Sequence, residues 1–227
     1  LSVEIVQDPL DRVQRNNMLS TPIEVREEAF QVLIIESYPR WEYRYLRNAL
    51  ERDPGVDVTC LLFHPDLPQK GGGRGYIQAF PTSNELNRFD VVILGDVGIG
   101  EKQLTEEQAE DIRQLISAQA SGLVFLPGRY GFQETLTEGP LADLYPVVFD
   151  VDQPEGYGSE QPGHFALTQT GQRSLLTKLA EGAQENSEVW SKIPGFHWYA
   201  PALRAKLGSE TLAVHDQETN ASGRIPL

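Results

Sequence analysis

Residues Phe30 to Glu36 read FQVLIIE, a nearly unbroken apolar run with no polar face. A strand of this kind is buried on both sides, which is the condition of a strand inside a parallel sheet covered by helices. The residues that follow complete a strand–helix unit. Ser37 reads as a helix cap and Pro39 suits the first turn. Trp41, Tyr45, Leu46, Ala49 and Leu50 share one helical face, and Asp53-Pro54-Gly55 ends the helix. A second strand is expected over Val56 to Phe63.

The pattern repeats along the chain. His64 to Phe80, with GGGRG at 71–75, has no periodicity and reads as a loop or a ligand-covering flap. Thr82-Ser83-Asn84-Glu85 and Thr105-Glu106-Glu107-Gln108 both match capping boxes, the second opening a helix with Ala109, Ile112, Leu115 and Ile116 inward. Asp90 to Leu94 and Leu123 to Leu126 are further buried strands. These units predict an α/β fold, a three-layer sandwich around a mainly parallel sheet. After Pro140 the pattern loosens. Strands are expected at Leu144 to Val151, Phe165 to Leu167 and Leu212 to Val214, and a helix at Ser174 to Gly182. Residues 1–28 read as a linker or the end of a preceding domain, and 29–227 as one domain whose C-terminal part is less regular and truncated.

Composition narrows the function classes. With 19 Lys and Arg against 33 Asp and Glu, the net charge of −14 repels nucleic acid and anionic lipid. No apolar run approaches the roughly 20 residues that span a bilayer, so no direct membrane insertion is expected. A single cysteine, Cys60, excludes an intrachain disulfide and a cysteine-based metal site, and its place within a strand predicts a core residue. Neither a metal motif nor a nucleotide-binding glycine motif is present, so no cofactor is expected. GDVGIG at 95–100 lacks the required spacing, and GGGRG lacks the following Lys-Ser/Thr.

The run VLIIESYPRWEYRYLRNALERDPGVDVTCLLF, followed by FPTSNELNRFDVVILGDV, GLVFLPGRYGF and PLADLYPVVF, resembles the class I glutamine amidotransferase-like domains. Its similarity is to the subgroup in large bacterial membrane-anchored proteins with von Willebrand factor A-type modules, and it covers residues 30–150 best. The resemblance implies a flavodoxin-like sandwich, with a catalytic Cys on a G-x-C-x-G elbow after the strand Leu123 to Leu126 and a late H-x-E motif. Here the elbow is Gly128-Arg129-Tyr130-Gly131, with Tyr130 near the nucleophile position. A phenol of pKa about 10 is a poor nucleophile toward an amide. His215 is followed by Asp216 and Gln217, so H-x-E is not met.

The expectation is therefore a glutamine amidotransferase-like domain without glutaminase activity. It would serve as a ligand- or protein-binding module, with the other domains of the same larger protein, a protein partner or a small polar ligand as the occupant. It would be a soluble domain of a bacterial membrane-anchored protein, on the extracytoplasmic side. The alternative is a hydrolase or amidotransferase with a non-standard site around Tyr130, Arg129 and Asp96, in which His197 or His215 assists. His164 is a third histidine whose distance to the Tyr130 hydroxyl would discriminate. In parallel α/β sheets ligands bind beyond the carboxyl ends of the strands. That rule selects Glu36, Arg40, Asp96, Arg129 and Tyr130 as candidate ligand-binding residues, with His64 converging on the same edge. Arg129 is also placed to neutralise Asp96 or Glu36.

Overall fold

The computed structural model describes residues 29–64 and 75–227, together with the backbone of 2–4 and 18–20. Two short strands, β1 (Ser2–Glu4) and β2 (Met18–Ser20), pair antiparallel. The GGGRG run up to Arg74, and with it most of the expected flap, lies outside the described residues.

The chain then alternates as expected. Strand β3 (Phe30–Glu36) leads to helix α1 (Trp41–Leu50) and strand β4 (Val56–Leu62). A two-residue strand β5 (Tyr76–Ile77) and the short helix α2 (Ser83–Leu86) precede β6 (Val91–Leu94). Helix α3 (Glu106–Gln119) connects to β7 (Gly122–Phe125). The five strands form one parallel sheet in the order β5-β4-β3-β6-β7.

Why these residues form these elements is largely local. Both Thr82 and Thr105 make the reciprocal capping boxes their sequences predict, satisfying helix N–H groups that have no internal partner. Ser37 does not cap α1. Its N–H and hydroxyl turn back to the Glu36 carboxylate, and the N-cap position falls to Arg40 without a side-chain cap.

The central strand feeds two cores, one on each face of the sheet. Leu33 and Ile35 pack with Val92, Leu94 and the α3 residues Ala109, Ile112 and Leu115. Val32 and Ile34 pack with Val58, Cys60, Ile93 and the α1 residue Tyr43. Cys60 is fully buried, as its sequence position predicts. On α1, however, the inward residue is Tyr43, with Leu46 and Leu50 packed beside it, while Trp41 and Tyr45 are 67 % and 69 % exposed. The expected face was turned because three aromatics compete within five positions. Tyr43 takes the inside since its hydroxyl finds the Tyr76 hydroxyl at 2.9 Å.

Beyond β7 every pairing is antiparallel. β8 (Val147–Phe149) has as its partner a later strand, β12 (Ala202–Ala205). β9 (Tyr157–Gly163) pairs with β11 (Phe196–Tyr199), two strands the sequence patterning did not predict. β10 (Phe165–Leu167), β13 (Ala213–Asn220) and β14 (Gly223–Pro226) make a third small sheet. The helix expected at Ser174 to Gly182 is replaced by a 3₁₀ turn at Leu175–Thr177, and helix α4 follows at Ala183–Ser191.

The two aromatic positions of α1 and the central strand make opposite predictions. Leu33→Ala should lower the unfolding free energy by about 3 kcal/mol, since it empties a fully buried site. Trp41→Ala should change it by less than about 0.5 kcal/mol, as an exposed side chain does. Urea titration of both variants checks the assignment of inside and outside on either side of the sheet.

Candidate functional site

The chain leaves β3 to one side, through α1 to β4, and returns to the other side at β6. The reversal puts a topological switch point at the carboxyl ends of β3 and β6, the usual position of a ligand crevice. Register pairing of Ile35 with Leu94 brings Glu36 and the Gly95-Asp96 exit to that point together.

Glu36 is 1 % exposed there. One carboxylate oxygen accepts the N–H of Ser37 and the N–H of Asp96, both at 2.9 Å. The other accepts Arg40 Nε at 2.9 Å. Arg40 then uses its remaining nitrogens on the end of β7, donating to Pro127 O at 3.0 Å and Leu126 O at 2.5 Å. One guanidinium thus joins the central strand β3 to the edge strand β7 across β6. Gly95 is a glycine because a Cβ there would stand 2.1 Å from Glu36 Oε2.

Asp96, also 1 % exposed, lies under the Gly128–Phe132 turn. Its carboxylate accepts the N–H of Tyr130 at 2.8 Å and of Phe132 at 3.1 Å. A Cβ at Gly128 would meet that carboxylate at 2.5 Å, and Gly131 adopts φ 69°, which favours glycine. Gln133, absent from the sequence reading, closes the layer. Its amide nitrogen donates to Leu94 O at 2.8 Å and to Gly95 O, and its oxygen accepts the Tyr145 hydroxyl at 2.5 Å.

Three expected residues, Glu36, Arg40 and Asp96, are therefore brought together, and their polar groups are committed to the chain itself. Arg129 is exposed and has no ion pair among the described residues; the neutralising role falls to Arg40. The Tyr130 side chain is 55 % exposed, its ring 5.2 Å from Tyr38 and 5.8 Å from Phe132. Tyr38 in turn packs edge-on against His64 at 4.2 Å. This aromatic group on the carboxyl edge, together with the exposed Arg129 next to Tyr130 in the chain, is the exposed part of the site.

The other histidines lie on the antiparallel half. His197, on β11, sets Nδ1 3.1 Å from Ser159 O. His215 is buried on β13, where Nδ1 accepts the N–H groups of Gln217 and Glu218 at 3.2 and 3.0 Å. Those two bonds to Nδ1 make it an acceptor, so its 3.3 Å approach to Asp216 Oδ1 is not a proton-sharing pair. The His164 N–H donates to Asp216. Among the described residues no hydrogen bond, ion pair or ring contact joins any of these three to Tyr130. Burial also pushes the Cys60 thiol up, away from the reactive thiolate form.

A second concavity, of about 430 Å³, opens between the end of β7 and the antiparallel half. Its walls include Phe125, Tyr145, Phe149, Phe196, Trp198 and Tyr199. Among the described residues no cluster of three or more His, Cys, Asp or Glu could hold a metal ion, and no helix is long and apolar enough to cross a membrane.

Comparison with protein-family models, with curated proteins and with solved structures gives no match.

Two outcomes test the electrostatics. Arg40→Ala should cost about 3 kcal/mol, because it strands a buried carboxylate without its cation; chemical denaturation measures it. Burial, the largest influence, holds both Glu36 and Asp96 above their ordinary values of 4.5 and 3.8. Groups raised in this way bind protons more tightly in the folded chain. Their contribution is full below the ordinary carboxylate range and is lost as pH rises through the raised values. Asp96→Asn should therefore flatten the decline of thermal stability from pH 4 upward, whatever its effect on the midpoint at neutral pH. A melting series across pH reads the slope.

Proposed function

We propose that this chain is a binding module on a flavodoxin-like scaffold of the class I glutamine amidotransferase type, without glutaminase chemistry. On this reading it serves a larger bacterial membrane-anchored protein. The single observation that carries the proposal is the Asp96 carboxylate beneath the turn, taking the N–H groups of Tyr130 and Phe132.

Acyl-transfer sites aim free backbone N–H groups at the oxygen that becomes negative, and they favour an ionised nucleophile nearby. At this turn the two N–H groups already hold an anion. Those N–H groups are therefore not free to stabilise an oxyanion forming beside the turn. Arg40 is likewise committed, to Glu36 and to two carbonyl groups.

What remains available is recognition. Tyr38 and Tyr130 present ring faces and hydroxyls, and Arg129 supplies a cation that no carboxylate of the described residues engages. Such a group suits a planar or anionic element, a carboxylate on a small polar ligand or on a partner protein, through a bidentate guanidinium contact and stacking. Asp96 holds the backbone of the turn, so the main chain that carries these side chains is ordered before anything binds.

The test is direct. The purified domain should release no ammonia from glutamine above the blank, and Tyr130→Phe should behave identically. Glutamine-dependent turnover that Tyr130→Phe abolishes overturns the reading. Both Tyr130→Phe and Arg129→Ala should leave stability within about 0.5 kcal/mol, as exposed substitutions do, so any loss of partner capture by either variant reports on recognition.

A further inference from the structure

Among the described residues the last strand of the parallel sheet has one unpaired edge: β7 pairs there with β6 alone, in an unbroken register from Gly122 opposite Val91 to Phe125 opposite Leu94. Gly122 N donates to Asp90 O at 2.7 Å and Leu126 N to Leu94 O at 2.8 Å. Alternate residues of a ladder face opposite sides, so Leu123 and Phe125 direct their N–H and C=O groups away from β6. Among the described residues nothing bonds to them there. Folded proteins usually blunt such an edge with a charge, a proline or a bulge. GLVFL at 122–126 carries none of these.

The apolar cavity of about 430 Å³ adjoins this edge. Phe125, Leu126 and Pro127 form one wall, and the β8 residues Val147 and Phe149 with Ala202 of β12 form part of the opposite side. The cavity is thus the gap between the parallel sheet and the β8–β12 ribbon. Its size falls within the roughly 300–1,000 Å³ of ligand pockets. Its walls offer few polar groups to orient a small molecule, and Trp198 Nε1 is already bound to Glu155 O at 2.7 Å. On the α3 face of the sheet, Leu123 and Phe125 pack toward the core, whereas Val124 on the other face is 44 % exposed.

We propose that β7 is a docking edge for an extended peptide, which adds as a further strand through Leu123 and Phe125 and places a large apolar side chain in the cavity beside Phe125 and Tyr145. Strand addition uses both features at once, main-chain bonds for affinity and a pocket at alternate positions for selection. The net charge of −14 selects a peptide with basic flanks and disfavours a second copy of this acidic chain. The site is separate from the Tyr38–Tyr130 face and does not depend on the reading proposed for it.

The probe is a capped peptide of sequence KTVTFTVK, with two twins N-methylated on its odd or its even interior residues. Each twin loses the N–H groups of one strand edge and keeps the side chains. Saturable binding of the parent by fluorescence anisotropy is expected, with at least a tenfold loss for one or both twins. The amides of Leu123 and Phe125 should exchange at least tenfold more slowly in saturating peptide. Equal affinity for the parent and both twins overturns the proposal, as does no saturable binding. It also fails if the two amides exchange unchanged, or if they become protected with rising protein concentration in the absence of peptide, which assigns the edge to a second copy.

Discussion

A carboxylate with almost no exposure ends the central strand, and the surrounding structure is arranged around keeping it there. Removing a charge from water costs several kcal/mol unless a partner and hydrogen bonds replace the lost solvent. Glu36 obtains both from within its own neighbourhood: Arg40 on the next turn of chain, the Ser37 amide, and the Asp96 amide at the end of the adjacent strand. Each requirement propagates. The approach of Glu36 excludes a side chain at position 95, and Ser37 is drawn away from capping α1. Arg40 must lie flat along the sheet's carboxyl edge, where its remaining nitrogens find the carbonyls after β7. The order of strands β3, β6 and β7 is thereby fixed at one end by a single guanidinium.

Much of the sheet was legible because its signals are local. FQVLIIE and DVVIL state their burial on both faces, and each capping box lies within four consecutive residues. The face of α1 was misread because hydrophobicity alone does not say which of Trp41, Tyr43 and Tyr45 is inside. A hydroxyl partner at Tyr76, from a segment without periodicity, decides it. The strands β9 and β11 escaped because YGSEQPG and FHWY pair only with each other, without alternation to mark them. The residues of the site were found by position, at the carboxyl ends of strands. Their roles were not, since Arg40 meets partners 86 and 87 residues away and Gln133 carries no motif at all. The carboxylate that occupies the amides of the Gly128–Phe132 turn was invisible until the chain was folded.

The carboxyl edge of the sheet and the outer edge of β7 differ in how their polar groups are used. At the switch point Glu36, Asp96 and Gln133 are each engaged by hydrogen bonds within the chain. At the outer edge of β7 the reverse holds: the side chains are apolar and, among the described residues, the main chain is unpaired. The first arrangement stabilises the fold, and the second leaves hydrogen-bonding capacity for something outside it.

Asp96 holds the Gly128–Phe132 turn by its backbone, while the Arg129 and Tyr130 side chains take no part in that support. The turn therefore separates shape from identity. Positions 129 and 130 behave as a display loop on a rigid frame, where new side chains can be installed without renegotiating the frame beneath them. Substitution at these two neighbouring codons therefore changes what the turn presents while leaving the Asp96 bonds to its backbone in place.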